Sequence, residues 1–104
     1  MKIIIIITTT DSKHVAESIS NKLVDGNISP CVQISSPQNS IYKWKNKIEI
    51  SEEYMIYVKI LKKNRDIVKK IILELHNYEI PELLEVQGDI LNDSYSNWFK
   101  KNSK

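Results

Sequence analysis

The sequence predicts an α+β fold of the ferredoxin-like βαββαβ type, with an antiparallel sheet, a long central hairpin and a short C-terminal helix. Three features predict this class: an apolar β-branched run near the N-terminus, two long strand-like segments around one tight turn, and two amphipathic segments with helical spacing. A split βαβ pair in this order places two helices on one face of the sheet. The 104 residues suit a single domain over positions 1–104.

The first predicted strand is apolar throughout. Five β-branched residues run from Ile3 to Ile7, and Thr8 to Thr10 continue toward a turn. Apolar side chains on both faces are typical of a strand in the centre of a sheet.

An amphipathic helix follows this strand. Asp11 is its expected N-cap, and Gly26 stands where a left-handed C-cap is expected. The apolar residues between them recur at helical spacing, which predicts one buried stripe. They are Val15, Ala16, Ile19 and Leu23.

A long hairpin occupies the middle of the chain. Its first arm begins at Cys31–Ile34, is interrupted at Pro37 and resumes at Ser40–Trp44. Proline cannot donate to a strand ladder, so a bulge or bend is expected there. Lys45-Asn46 forms the predicted turn because Asn tolerates positive φ. The return arm runs from Lys47 to Leu61.

The last third of the chain predicts a helix, a strand and a short helix. Asn64 is the expected N-cap of the first helix, which ends at His76, and Leu83–Gln87 is the fourth strand. The first helix has a stripe made of Ile67, Val68, Ile71, Ile72 and Leu75. Asp93 is the expected cap of the last helix, which holds Tyr95, Trp98 and Phe99 on one side.

The return arm of the hairpin is apolar on both faces. One face carries Tyr54, Ile56, Val58 and Ile60, and the other, here called the second face, carries Met55, Tyr57, Lys59 and Leu61. Two helices cover one face only, and a soluble monomer rarely exposes so large an apolar patch. Self-association is therefore expected. The alternative is that the last helix folds over part of the second face.

Composition excludes several partners. The chain has 15 Lys+Arg and 13 Asp+Glu, a net charge of +2, which does not indicate a nucleic-acid or membrane partner. Arg65 is the only arginine, whereas Arg is the usual residue for phosphate and base contacts. The single cysteine, Cys31, suggests a reducing compartment, and no segment reads as a signal peptide or membrane span. We expect a cytoplasmic protein.

The densest polar cluster is the predicted loop 76–82. It holds one imidazole, one phenol and two carboxylates, from His76, Tyr78, Glu79 and Glu82. Imidazole with carboxylates suits copper or zinc, and it also suits acid–base chemistry. The simpler interpretation is structural: His76 interacts with the end of its helix, Tyr78 packs, and the carboxylates are solvated.

Other candidate residues have equally simple alternatives. Tyr42 and Trp44 share a face of the hairpin, so with Lys59 they line a cleft or serve as interface aromatics. Cys31 is more typical of a buried apolar residue than of a reactive thiol. Glu52-Glu53 is most simply a solvated pair.

Known catalytic signatures are absent from the sequence. There is no phosphate loop, no dinucleotide fingerprint and no paired-cysteine metal site. The apolar first strand lacks the aromatic platform of an RNA-recognition domain. No nucleophile–base pair supports an enzyme.

Four segments together resemble the CutA divalent-cation-tolerance proteins, and the likeness covers essentially the whole chain. These segments are Cys31-Val32, Ile41–Glu49 with its Y-x-W pattern, the H-x-Y-E-x-P-E loop His76–Glu82, and Tyr95-Ser96-Asn97-Trp98. The loop is the most specific of them.

The resemblance implies a cytoplasmic homotrimer, without enzymatic activity, that is linked to tolerance of copper and other divalent cations. It also implies an intersubunit cleft, with His76 as the metal ligand. The cleft residues are Tyr42, Trp44, Lys59, Tyr78, Glu79, Pro81 and Glu82, with Trp98 nearby. Similar trimers occur among nitrogen-regulatory signalling proteins, so the resemblance leaves open a signalling or scaffold role with a small ligand and no physiological metal.

The chain departs from the family pattern at several positions. Lys45-Asn46 replaces the usual E-G of the turn, and Gln87 and Leu91 replace a usual Pro and Gly. Ile7 and Leu75 stand where some members have further copper ligands, so only His76 remains. The resemblance therefore implies weak copper binding, built from His76 with Glu79 or Glu82.

Overall fold

The computed structural model of the chain describes residues 1–104 and contains five strands and three helices. The strands are β1 (Lys2–Thr10), β2 (Cys31–Ile34), β3 (Gln38–Trp44), β4 (Lys47–Ile60) and β5 (Leu84–Asp89). The helices are α1 (Lys13–Asp25), α2 (Arg65–Leu75), which follows a 3-10 turn at Lys62–Asn64, and α3 (Asp93–Lys101). The predicted ferredoxin-like α+β class is confirmed.

All strand pairs are antiparallel, and the apolar β1 is central, as predicted. The order is β2-β4-β1-β5, with β3 pairing only to the outer half of β4. The bend at Pro37 separates β2 from β3. Lys45 and Asn46 form the hairpin turn with φ of 52° and 65°, which the two-residue turn requires. The hairpin extends the molecule to 47 Å along its longest axis.

One face of the sheet packs against α1 and α2 and forms the core. The sheet contributes Ile4, Ile6, Ile56, Val58 and Ile60, and the helices contribute Ala16, Ile19, Leu23, Val68, Ile71 and Ile72. Burial of each large aliphatic side chain contributes roughly 1.5–3 kcal/mol to the free energy of folding. This face therefore supplies most of the hydrophobic stabilisation of the fold. The predicted stripes of both helices are confirmed, except that Ile67 is exposed.

Two predicted N-caps were wrong, and Gly26 is the C-cap of α1 without the left-handed conformation that was expected. Ser12, not Asp11, caps α1, because its Oγ accepts a hydrogen bond from the Val15 N–H at 3.1 Å. Gly26 has φ −80°, and the following Asn27 takes the left-handed conformation at φ 56°. The N-cap of α3 is Asn92, one residue before the predicted Asp93.

Asn64 stands at the predicted start of α2, but its side chain does not cap the helix. Its buried amide donates to the carbonyl oxygens of Ile28 at 3.3 Å and Lys104 at 3.2 Å. The N–H of Lys104 in turn donates to the Asn27 carbonyl oxygen at 2.7 Å. These bonds fix the end of the chain at Lys104 to the start of α2 and to the segment after α1.

The single arginine has a partner across the fold. Arg65, the first residue of α2, forms a two-pronged contact with Glu85 of β5, in which Nη2 lies 2.8 Å from Oε2. This ion pair raises the pKa of the guanidinium and lowers the pKa of the Glu85 carboxyl. Arg65 therefore holds α2 to β5, and its guanidinium is already paired within the chain.

The second face remains largely uncovered within one chain. The strand register places Ile5 opposite Lys59 and Val86, and Ile7 opposite Tyr57 and Leu84. Leu84 and Val86 are 53% and 44% exposed. The last helix covers one corner, where Tyr95 lies beside Cys31 and where burial and that thiol raise the pKa of Tyr95. None of the helices is both long and apolar enough to cross a bilayer.

Candidate functional site

The loop 76–82 is fixed to β1 by the imidazole of His76. Helix α2 ends here because the His76 backbone is extended. The His76 Nδ1 accepts a hydrogen bond from the Tyr78 N–H at 3.0 Å, so the ring proton is on Nε2. The Nε2 atom lies 2.8 Å from the Thr9 carbonyl oxygen and donates to it. Both ring nitrogens of the predicted metal ligand are therefore engaged within the chain.

Asn77 adds a second clamp to the end of β1. Its Oδ1 accepts a hydrogen bond from Thr10 Oγ1 at 2.6 Å, and its Nδ2 donates to Asp11 Oδ1 at 2.8 Å. Asn77 therefore positions the loop against the end of β1.

Tyr78 reaches from the loop to the base of the hairpin. Its phenol donates a short hydrogen bond to Glu53 Oε2. Burial, followed by the hydrogen bond to Glu53, raises the pKa of Tyr78. Glu53 is only 5% exposed, so the interpretation of Glu52-Glu53 as a solvated pair is wrong for Glu53 and correct for Glu52. The loop 76–82 covers Glu53, and the residues next to Glu53 in the sequence do not indicate this contact.

A cleft of about 660 Å³ lies between this loop and the hairpin. Five predicted residues line it: Tyr42, Trp44, Tyr78, Glu79 and Glu82. Six further lining residues were not predicted as part of a site: Thr9, Ser40, Ile41, Glu53, Asn77 and Ile80. Period-2 alternation along β4, which groups Glu53 with Met55 and Tyr57, is the signal that places Glu53 on this side of the sheet.

Four predicted site residues do not line the cleft of the single chain. Lys59 lies on the second face, next to Ile5 and Cys31 in the strand register. Trp98 stacks on Tyr95 in α3, with ring centroids 5.3 Å apart. Pro81 is part of the loop without bordering the cleft, and the ring nitrogens of His76 bond to backbone atoms.

The donor set of one chain does not fit a tight metal centre. No group of three or more His, Cys, Asp or Glu side chains is close enough to hold a metal ion, whereas tight transition-metal sites use several strong ligands. The cleft instead combines aromatic rings with carboxylates, an arrangement that can bind a cationic or partly apolar ligand.

Comparison with known proteins identifies the family. Residues 4–102 match the family described as CutA1 divalent ion tolerance protein. The divalent-cation tolerance protein CutA of Thermus thermophilus is 27% identical over 99 residues, covering 95% of this chain and 96% of that protein. The crystal structure of CutA1 from Shewanella sp. SIB1 is 30% identical, with a TM-score of 0.91, and covers 97% of this chain and 94% of that one.

Some relatives, such as those in Thermus thermophilus and Pyrococcus horikoshii, are named for tolerance of divalent cations rather than for an enzymatic activity. The relatives do not share one compartment, since a relative in Arabidopsis thaliana is named chloroplastic. That relative is 21% identical, covering 97% of this chain and 56% of that protein. Sequence and fold agree, and the chain belongs to the CutA1 divalent ion tolerance protein family.

Proposed function

We propose that this chain is a non-enzymatic homotrimeric protein of divalent-cation tolerance. It binds Cu²⁺ or another divalent cation weakly, at a cleft shared between subunits in the cytoplasm. Residues 1–104 act as one CutA-like domain, without a nucleic-acid or membrane partner. The observation that carries this proposal is the uncovered second face, which continues from Leu84 and Val86 to the cleft beside Thr9 and Glu53.

The second face supports self-association. Leu84 and Val86 flank the half-buried Ile5 and Ile7, and β5 is an edge strand with unpaired backbone groups. Covering such side chains contributes roughly 25 cal/mol per Å² of apolar surface removed from water. One edge of the sheet is β5 and the other is β2, so copies can meet head to tail, and such a contact forms a ring when its rotation closes. The number of three subunits rests on the family resemblance.

The loop supports weak metal binding. Glu79 and Glu82 are exposed on the cleft wall, and carboxylates with an imidazole suit copper or zinc. His76 must give up the Tyr78 N–H or the Thr9 carbonyl before it ligates a cation, which lowers the affinity. Further donors from a neighbouring subunit complete the site in the trimer.

The assembly is tested by sedimentation equilibrium of the purified protein together with metal analysis of the same sample. We expect the wild type to be a trimer. We expect the Val86→Lys trimer to dissociate into monomers, because Lys places a charge on the second face. The matched control is Val24→Lys on α1, which is similarly exposed at 43% but lies outside the second face. A folded wild-type monomer in dilute solution contradicts the proposal.

Metal binding is tested by calorimetric titration with Cu²⁺. We expect weak binding that decreases in His76→Ala and in a Glu79→Gln/Glu82→Gln double variant. The double variant leaves the His76 hydrogen bonds in place. His14→Ala, which changes an exposed histidine on α1, is the control. Equal affinity in the wild type and His76→Ala removes His76 from the site.

The second candidate function is a trimeric signalling or scaffold module that binds a small ligand without physiological metal. The aromatic lining from Tyr42, Trp44 and Tyr78, and the engagement of both His76 nitrogens, favour it. A metal-free ligand that changes the tryptophan fluorescence distinguishes this function from the first.

A further inference from the structure

We propose that the cleft binds a primary organic ammonium ion, whose N–H groups bond to the free oxygen of Glu53 and whose alkyl part lies against Tyr42 and Trp44. This inference rests on the proposed function, because it uses the same cleft, and it names a class of ligand for the second candidate function. The ligand is a cation other than a metal ion.

The carboxylate of Glu53 is the first observation. Its side chain is 5% exposed and borders the cleft. Oε2 accepts the hydrogen bond from Tyr78, while Oε1 accepts none from the chain. Although it has no partner, Oε1 is not shut off from solvent, and it therefore opens to the cleft that Glu53 borders. A largely buried carboxylate is costly unless paired, so a positively charged N–H donor suits this position.

The charge of the lining is the second observation. Glu53, Glu79 and Glu82 are the only charged residues that border the cleft, although the whole chain carries a net charge of +2. No lysine, arginine or histidine neutralises them within the cleft. A cleft lined by one sign of charge concentrates ligands of the opposite sign.

The aromatic rings are the third observation. Tyr42 and Trp44 are 42% and 37% exposed and lie on the same side of β3. Exposed aromatic faces attract cations and cover alkyl chains. They pair with Glu49 and Lys47, four and six residues from Glu53 along β4, on the same side of the hairpin as Glu53. All three residues border the cleft, so its lining offers an organic cation both a carboxylate and an apolar surface.

The dimensions favour an organic ion over a bare metal ion. The cleft of about 660 Å³ falls in the range of small-molecule sites, roughly 300–1,000 Å³. A divalent metal needs several ligands within about 2.6 Å of one point, and the chain brings no three such groups together. A quaternary ammonium has no N–H for Glu53 Oε1, so the primary ammonium is preferred.

Titration with n-butylammonium chloride tests the inference on the full-length protein in a Trp98→Phe background, which leaves Trp44 as the only tryptophan. We expect saturable binding, at least about tenfold weaker binding of tetramethylammonium, and no response to 1-butanol at equal concentration. Equal binding of the three probes, or no binding of n-butylammonium, overturns the proposal.

Charge-removing variants test the role of Glu53. Glu53→Gln keeps an acceptor for Tyr78 and is expected to weaken n-butylammonium binding at least about tenfold, while Glu74→Gln on the exposed face of α2 has no effect. If Glu53→Gln does not fold, judged by circular dichroism, the Glu79→Gln/Glu82→Gln variant decides: it must weaken binding several-fold. Unchanged binding in the folded variant overturns the proposal.

The same sample separates this inference from the proposed function. A trimer that binds Cu²⁺ through His76 but does not bind n-butylammonium contradicts the ammonium site alone. A protein that binds n-butylammonium but shows no Cu²⁺ binding contradicts the metal function alone.

Discussion

The phenol of Tyr78 donates a hydrogen bond to the buried carboxylate of Glu53, and this contact joins the loop after α2 to the base of the hairpin. The two residues are 25 positions apart in the sequence. His76 and Asn77 fix the other side of the same loop to the end of β1. The wall of the cleft is thus held at both ends by hydrogen bonds.

Removing the Tyr78 hydroxyl is expected to destabilise the protein. In Tyr78→Phe the Glu53 carboxylate stays buried without its donor, which costs about 1–3 kcal/mol in the free energy of unfolding. Urea unfolding at matched protein concentration measures this loss. Tyr42→Phe, at an exposed tyrosine, is the control and is expected to change stability by less than about 0.5 kcal/mol. Equal stability of the two variants contradicts the structural role of the contact.

Alkaline pH is expected to destabilise the wild type more than Tyr78→Phe. Burial and the Glu53 hydrogen bond raise the pKa of Tyr78 above its ordinary value of 10.0. The unfolded chain therefore loses the phenol proton first. The stabilisation is complete below about pH 10 and is lost as the pH rises toward the folded-state pKa.

Urea unfolding of both proteins between about pH 9 and pH 11 measures this difference. Tyr95, whose pKa burial also raises, contributes equally to both, so the difference isolates Tyr78. Parallel pH profiles contradict the prediction.

Two threonines on the same face of β1 are expected to respond in opposite directions to replacement by Val. Thr8 Oγ1 is buried without a hydrogen-bond partner, so Thr8→Val raises the free energy of unfolding by about 1 kcal/mol. Thr10 Oγ1 donates to Asn77 and accepts from the Ser12 N–H at 3.1 Å, so Thr10→Val lowers it by about 1–2 kcal/mol. Thermal and urea unfolding of the two variants give the comparison. A loss of stability in Thr8→Val means that its hydroxyl has a partner.

Asn64 is expected to stabilise the end of the chain rather than the start of α2. Asn64→Ala leaves the Ile28 and Lys104 carbonyls without their donor and costs about 1–3 kcal/mol. Asn21→Ala, at an exposed position of α1, is expected to be nearly neutral. In hydrogen exchange, the α3 amides of Asn64→Ala lose protection before those of α2. Loss confined to the first turn of α2 indicates a capping role instead.

Periodicity predicted the elements because their burial follows directly from spacing. The spacing of the apolar residues in β1, α1 and α2 indicates directly which of their side chains are buried. Caps depend on backbone geometry that composition does not determine. Ser12 and Asp11 are both good capping residues, and Asp11 bonds to Asn77, which lies 66 positions away. Such long-range competition explains why the predicted α1 cap was wrong.

The cleft was predictable only in part for a similar reason. Tyr42 and Trp44 were found from alternation, and Tyr78, Glu79 and Glu82 from a dense polar loop. Glu53 was missed because a carboxylate in an exposed hairpin is normally solvated, and only the loop 76–82 changes that. Lys59 and Trp98 are elsewhere in the single chain, so a role for them in the cleft requires a neighbouring subunit.

The central position of β1 has a consequence for synthesis. This strand leaves the ribosome before both of its partners, because β4 and β5 end at Ile60 and Asp89. Its five consecutive isoleucines stay unpaired until β4 has been made, and one side of the strand stays unpaired until β5 has been made. Such a segment has high β propensity and no charge, the composition of an aggregation-prone stretch. The residues that make the finished sheet stable therefore also make the nascent chain dependent on prompt completion or on protection by a chaperone.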